Sequence, residues 1–544
     1  MGDAAVPTVV RAGRRSGVAA QTGAVATGYV RHVPEGTTLH RVVKAHLERF
    51  VRFASARSGR PLPRYVVEEF RAYLRCGVLA HGFARARCEG CGHERLVAFS
   101  CKLRGVCPSC GGRRMSATAA DVVDRVLPEV PLRQWVLSVP FALRVRLAAD
   151  PAMLNVVSRV LWEEMRRWYR SASVLTAGDG VRVEAGAITF VQRFGGALNL
   201  NVHFHVVAAD GGWRCVTDGS APVFVAVRAP TRDDLAGVVA RVVARVAKAF
   251  ARTAEGEGEG AEDDALAGCQ RAALARGSYG VVRDDGAVEA SEAADAARFG
   301  RRPPKAQVAE DEGFNLHASV VIGAKDVAGR ERLLRYTARP VVALDRVTEL
   351  PDGRIAWRLK QRGGRGETHR IMEPMEFMAR LAALVPPPRH PLVRYHGVFA
   401  PNSPWRAAVV PGPRPQELEL RVKACAAKAK ADAEAATVAA GATVPPRATA
   451  DGGIWDAVEA RGAAGVTGAA KPENKAVRAS RMDWATLLHR VWGIDALKCP
   501  RCEGPMKFIA TITDRAVIVR ILTHLGLPAA EVVAAPARHW DDTS

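Results

Sequence analysis

Asn201-Val202-His203-Phe204-His205-Val206-Val207-Ala208 places two histidines one residue apart in an otherwise apolar run. The alternation predicts a strand, in which successive side chains point to opposite faces. His203 and His205 then share one face with their Cα atoms about 6.6 Å apart. Phe204, Val206 and the other alternate positions face a hydrophobic layer. Two imidazoles side by side on a strand can grip one divalent ion, but paired histidines also occur packed or solvated. The pair therefore acquires meaning only with a second element.

Outward from that strand, 184–192 reads as a partner strand across Gly195–Gly196, and 134–139 and 315–322 read as further strands. Helices are predicted at 117–127, stopped by Pro128, and at 151–170, where Leu154, Val157, Leu161 and Met165 fall on one face. A short helix spans 327–338, and 345–360 has the form of a hairpin turning at Pro351-Asp352-Gly353. Strands mixed with helices in this order predict an α+β fold.

The 544 residues exceed what one core supports, so several domains are expected. Residues 1–40 read as a loose arm, 41–130 as a helical, cysteine-bearing domain, and 131–410 as the main domain. Within the last, 253–264 and 284–312 are acidic or Ala/Gly-rich and are expected to be mobile insertions. Residues 411–480 form a low-complexity linker, and 481–530 a small C-terminal module.

Lys and Arg number 78 against 56 Asp and Glu, a net charge of +22, which favours a polyanionic partner such as DNA. No stretch reaches the ~20 apolar residues of a membrane span, and the N-terminus lacks a secretory pattern, so a cytoplasmic chain without membrane contact is expected. Eleven cysteines, crowded around 76–110 and at 499/502, point to metal rather than disulfides in that setting.

Cys88-Glu-Gly-Cys91 and Cys107-Pro-Ser-Cys110 form two CxxC knuckles, the spacing of one tetrahedral structural Zn2+ site. Cys76 and Cys101 are left over; either is able to replace a ligand, though a buried thiol is the plainer reading. His93 is a weaker candidate. Arg113 and Arg114 belong to a basic surround suited to a phosphate backbone. Cys499-Pro-Arg-Cys502 is a second half-site, which needs His524, His539 or another chain to complete it. Downstream, Tyr336 sits in a basic helix ended by Pro340, with Arg335 and Arg339 beside it. A phenol of pKa ~10 is a poor nucleophile unless cations and a metal assist it.

The chain resembles the HUH single-strand transposases of the IS-ninety-one type, including the insertion-sequence common-region branch. The resemblance rests on HGFARARCEGCGHE (81–94), FSCKLRGVCPSCGGRRM (99–115), RQWVLSVP (133–140) and VQRFGGALNLNVHFHVV (191–207). It continues through GFNLHASV (313–320), LLRYTARP (333–340) and RYHGVFAPNSPWR (394–406), and resumes at GIDALKCPRCEGPMKFIATI (493–512) and ILTHLGLP (521–528).

That resemblance implies an HUH-nuclease-like antiparallel sheet with flanking helices, an N-terminal helical and zinc-ribbon domain, and a bacterial, nucleoid-associated setting. It implies that His203 and His205 hold Mg2+ or Mn2+ at a scissile phosphate of single-stranded DNA at an element end. Tyr336 then attacks, leaving a 5′-phosphotyrosine and a free 3′-hydroxyl. Arg113, Arg114, Arg335 and Arg339 are the expected DNA contacts, and a homo-oligomer is allowed for. Two-tyrosine members carry Tyr-Leu-x-x-Tyr; here Arg332 takes the first position, which makes this a single-tyrosine version. The third metal ligand stays open between Gln192 and His317, with Asp210 behind them, and Tyr395 is a reserve nucleophile. The rival reading is a non-catalytic, zinc-containing DNA-binding protein derived from a transposase.

Overall fold

The computed structural model describes residues 32–177, 183–214, 221–254, 264–274, 279–282, 288–291, 307–360, 366–411, 484–492 and 495–537. Helices α1 (Thr38–Ser58) and α2 (Arg64–Arg75) lead into the hairpin β1 (Phe83–Cys88) and β2 (Glu94–Ala98), then helix α3 (Pro108–Arg125). Thr37 caps α1 by accepting from His40 N, and Gly59, at φ 68°, ends it. Helix α3 starts well before the expected 117. Pro108 takes its first position, where a missing N–H costs nothing, and Cys107 Sγ accepts from Cys110 N as the cap.

Next come β3 (Leu132–Ser138), α4 (Leu143–Ala149), α5 (Pro151–Ala177), β4 (Val183–Glu184), β5 (Gly186–Phe194), β6 (Leu200–Ala209), β7 (Gly211–Arg214) and β8 (Val223–Ala226). They are followed by α6 (Arg232–Ala254), α7 (Ala265–Leu274), β9 (Tyr279–Val282), β10 (Val288–Ser291), β11 (Val308–Asp311), β12 (Phe314–Ile322) and α8 (Val327–Thr337). The rest is β13 (Val347–Glu349), β14 (Ile355–Arg358), β15 (His369–Met372), α9 (Pro374–Leu384), β16 (Val393–Gly397), α10 (Arg406–Val409), α11 (Trp484–Trp492), β17 (Met506–Ile512) and α12 (Arg515–His524).

The main sheet has six strands in the order β11-β12-β3-β6-β5-β16, every pair antiparallel. With β6 inside it, Val202, Phe204, Val206 and Ala208 turn to one face and share a core with Leu161 and Met165 of α5 and Leu235 and Val242 of α6. Val207 and Ala209 turn to the other and pack with Ile188, Phe190, Val122 of α3 and Leu334 of α8. Both faces are covered, which is why β5 and β6 are buried almost throughout. The α+β class and the antiparallel sheet flanked by helices are as expected.

A five-stranded sheet, β10-β9-β15-β14-β13, and a three-stranded one, β4-β7-β8, flank the main sheet's sequence. A second three-stranded sheet has the order β17-β1-β2, so the C-terminal strand pairs with the N-terminal hairpin rather than within its own module. The 411–480 linker and most of the two expected insertions and the 1–40 arm lie outside the described residues. Where 284–312 is described, β10 and β11 occupy it. Among the described residues no helix is long and apolar enough to cross a membrane.

Candidate active site and cysteine clusters

Strand β6 presents His203 and His205 on one face, with ring centroids 4.8 Å apart, and both are buried. His203 Nδ1 bonds to the carbonyl of Asn201 at 2.9 Å, which makes Nδ1 the protonated nitrogen and leaves Nε2 a lone pair. His205 Nδ1 lies 2.9 Å from the amide of Gln134, and its Nε2 is buried with no hydrogen-bond partner. The Gln134 amide, nearly symmetric in shape, donates to Nδ1 with its nitrogen inward. Turned over, it accepts the Nδ1 proton and frees Nε2. Burial, with smaller repulsion from neighbouring cations, lowers His203 to about 4 and His205 to about 2, so both rings are neutral at pH 7.

Tyr336 lies in the last turn of α8. Asp326 caps that helix by accepting from Gly329 N at 2.7 Å, and Arg330 ties it down by donating to the carbonyls of Pro128 and Val130. The Tyr336 ring stands 5.6 Å from the His205 ring, edge-on at 85°, and is 41% exposed. Lys360 Nζ is 4.4 Å and Arg339 Cζ 5.0 Å from its centroid. Gln192, opposite His203 in the ladder, donates from Nε2 to the carbonyls of Tyr336 and Thr337 at 3.0 and 2.7 Å, while its Oε1 is buried without a partner. An open cleft of about 430 Å³ runs alongside, lined by Gln134, His205, His317, Arg332 and Tyr336 among others.

The structure thus gathers His203, His205, Gln192, His317, Tyr336 and Arg339 in one place. Asp210 is a different case: both its oxygens accept from Arg133 at 2.7 Å, so it serves as counterion to a buried guanidinium. Arg335 is neutralised by Glu331 at 2.6 Å, one turn away. Arg113 and Arg114 are exposed on α3, where Arg114 also donates to the Lys102 carbonyl. Tyr395, on edge strand β16, has its phenol pushed up by burial and is absent from the cleft lining. Lys360 and Gln134 were missed by sequence reasoning. Gln134 shares the alternation of β3 with the cleft-lining Val136, whereas nothing marks Lys360, an isolated lysine just past β14.

Among the described residues, eight of the nine cysteines form two sets, with Cys269 in neither, rather than the single Cys88/Cys91/Cys107/Cys110 site expected from spacing. Cys76, Cys101, Cys107 and Cys110 make one, and Cys88, Cys91, Cys499 and Cys502 the other, the four sulfurs of each lying within 4.8 Å of one another. In the first, Sγ–Sγ separations are 3.6 Å for Cys76–Cys110, 3.5 Å for Cys101–Cys110 and 3.6 Å for Cys107–Cys76. A tetrahedral Zn2+ with Zn–S of about 2.3 Å has edges of about 3.8 Å, so the donor set fits that ion. The reason for the regrouping is the hairpin. Cys88 and Cys91 lie at its turn, whereas Cys76 precedes β1 and Cys101 follows β2, both at its open end. At ~3.3 Å per residue the strands hold the two ends roughly 17 Å apart, beyond the span of one ion. Cys76 and Cys101, left over in the spacing argument, are the partners of Cys107 and Cys110.

Comparison with known proteins gives two family matches. Residues 42–139 match the family described as "Transposase zinc-binding domain", and residues 186–406 the family described as "Putative transposase". No curated protein and no solved structure matches the chain significantly. The first match spans α1 to β3 with all six N-terminal cysteines, and the second contains β5, β6, α8 and β16, the elements that carry both histidines and Tyr336. On these matches the chain is a transposase of the IS-ninety-one type, a DNA-processing enzyme with a zinc-binding segment on its N-terminal side.

Proposed function

We propose that this transposase nicks and rejoins single-stranded DNA through a 5′-phosphotyrosine, with Tyr336 as the nucleophile. The observation that carries the reading is the contact of the Tyr336 ring with the His205 ring, between two elements more than a hundred residues apart in the chain. The phenol oxygen forms a bond to the scissile phosphorus as the bond to the 3′ oxygen breaks. The phenolic proton is lost and the departing oxygen gains one, leaving a free 3′-hydroxyl. Attack by another 3′-hydroxyl reverses the exchange and restores a phosphodiester, so no nucleotide is consumed.

His203 and His205 would hold Mg2+ or Mn2+, with Gln192 or His317 as third ligand, and such a cation supplies charge neutralisation at the phosphate. The fit is supported by two buried atoms lacking partners, His205 Nε2 and Gln192 Oε1, and by the neutrality of both imidazoles. Lys360 and Arg339 flank the phenol, where they stabilise its anion and bind phosphate oxygens. Arg332, at the place of the first tyrosine in two-tyrosine relatives, lines the cleft as a cation and leaves one nucleophile per site. Cys76, Cys101, Cys107 and Cys110 hold the structural Zn2+ of the N-terminal domain. The exposed Arg113 and Arg114 suit the backbone of the single-stranded element end in the bacterial cytoplasm.

The test is incubation with a single-stranded end oligonucleotide and Mn2+, followed by denaturing electrophoresis. An SDS-resistant adduct is expected, and Tyr336→Phe removes it while DNA binding persists. An adduct that survives in that variant would exclude Tyr336. Tight binding with no adduct from the unaltered chain would favour a non-catalytic DNA-binding protein.

A further inference from the structure

The second cysteine cluster draws on both ends of the chain. Cys88 Sγ lies 3.3 Å from Cys502 Sγ, and Cys91 Sγ lies 3.6 Å from Cys499 Sγ, so the close pairs run between the two CxxC segments. The two segments are conformational copies. Cys88 N donates to the His93 carbonyl and Cys499 N to the Gly504 carbonyl, each five residues on, at 2.8 Å. Gly92 N returns to the Cys88 carbonyl and Glu503 N to the Cys499 carbonyl, each four residues back, at 3.1 and 2.9 Å. The returning residue is left-handed in both, at φ 70° for Gly92 and 61° for Glu503. Glu503 adopts this conformation without glycine's freedom, which calls for a constraint from outside its own loop.

Arg95, which donates to the Ala496 carbonyl at 2.6 Å, and the exposed Lys507–Glu89 pair at 3.2 Å tie the two segments together, but apolar packing there is small. Among the described residues the local apolar cluster holds Cys88, Cys499 and Met506, with Ala86 against it. Four sulfurs around a shared centre, each knuckle aiming two of them inward, match the closed four-thiolate form of structural zinc. The matched zinc-binding domain, residues 42–139, contains only Cys88 and Cys91 of this set.

We infer that Cys88, Cys91, Cys499 and Cys502 bind one Zn2+ that clasps the C-terminal module onto the N-terminal hairpin. The ion sits at the Cys88–Met506 end of the β1–β17 ladder. The opposite end, Phe83 against Ile512, is closed by a separate apolar cluster that includes Val78, Leu79, Ile518 and Leu522. The clasp also anchors α11, which ends a few residues before Cys499. From α11, Arg490 reaches Asp124 of α3 at 2.9 Å and Glu331 of α8 at 3.2 Å. A metal site formed by residues over four hundred positions apart thereby secures a contact to the helix bearing Tyr336.

The experiment uses the full chain and needs no DNA activity. Elemental analysis of the purified protein should give two zinc ions per chain, one for each cysteine cluster. The double variant C499S/C502S should hold one, and the β17 amides should lose hydrogen-exchange protection while those of β3 and β6 keep theirs. Two zinc ions in that variant, or one with β17 still protected, overturns the inference. Should the double variant fail to fold, C502H decides the matter. In the Co2+-substituted protein it should convert one of two tetrathiolate spectra to a three-sulfur, one-nitrogen spectrum, and a spectrum unchanged from the unaltered chain refutes the clasp.

Discussion

The Tyr336 ring meets the His205 imidazole edge-on, at 5.6 Å and 85°, and the amide of Gln134 lies 2.9 Å from Nδ1 of that imidazole. Outer partners of this kind set the orientation and tautomer of a ligating histidine, and their loss typically costs 10–100-fold in metal affinity. Gln134→Leu should therefore raise the Mn2+ concentration giving half-maximal adduct formation by roughly tenfold or more. The fold should lose about 1–3 kcal/mol, because the buried His205 Nδ1 is left without its partner, so the titration is read below the variant's melting range. An unaltered Mn2+ titration would show that the amide has no influence on the ring.

Much of this site could be read from the residue pattern, and the limits were physical. His203 and His205 share a face because a strand has a period of two, and Asp326 and Pro340 bracket α8 by capping and chain-breaking, so both elements were readable. Cysteine spacing misled because separation along the chain ignores a hairpin between the knuckles, which carried Cys88 and Cys107 to opposite ends. Cys499 and Cys502 were expected to need His524, His539 or another chain. Their partners are Cys88 and Cys91 of the same chain, a pairing that local sequence cannot express. Lys360 joins Tyr336 only through the tertiary path of β14.

Two adjacent glycines on α3 should respond to alanine with opposite signs. A Cβ on Gly111 would lie 2.6 Å from Cβ of Pro340, in the rigid ring just after α8, whereas one on Gly112 meets nothing within 4 Å. Gly112→Ala then keeps only the helix-propensity gain of about 0.5–1 kcal/mol and should melt slightly higher. Gly111→Ala gains the same but must push α3 away from Pro340, a strain of about 1–3 kcal/mol that outweighs it. Its melting temperature should fall below that of the unaltered protein. Two shifts of the same sign would mean that the α3–Pro340 contact is loose.

His396 should make the fold acid-sensitive. Its ring stacks on Trp162 at 5.2 Å, its Nε2 lies 3.0 Å from Thr189 Oγ1, and burial, aided by Arg394, lowers its pKa from 6.5 to about 4. The unfolded chain then binds a proton that the folded one refuses, so the stability from this group is complete above pH 6.5 and drains away as the pH falls toward 4. At about 1.4 kcal/mol per pH unit, the loss between pH 6.5 and 5 is about 2 kcal/mol. His203 and His205 act in the same direction, so the contribution of His396 is read by difference. His396→Asn should lose about 2 kcal/mol less than the unaltered chain over that interval in urea unfolding, and parallel pH curves would contradict the assignment.

Arg490 offers a way to separate the C-terminal module's grip on the tyrosine helix from its zinc. It pairs with Asp124 through two nitrogens, at 3.0 and 2.9 Å, and with Glu331 at 3.2 Å. The partners are partly exposed, and Glu331 keeps Arg335 at 2.6 Å when Arg490 is removed, so no buried carboxylate is stranded. Arg490→Ala should accordingly cost only about 1 kcal/mol and leave both zinc ions in place. What it removes is the tie between α11 and α8. If that tie holds Tyr336 against His205, adduct formation should slow several-fold at saturating Mn2+ with oligonucleotide affinity unchanged, because the loss falls on nucleophile placement rather than on binding. Glu331→Ala, which frees Arg335 as well, should slow it further. Equal adduct rates in all three proteins would show that α8 is held by Arg330, Gln192 and its own core contacts, and that the C-terminal module docks without acting on the nucleophile.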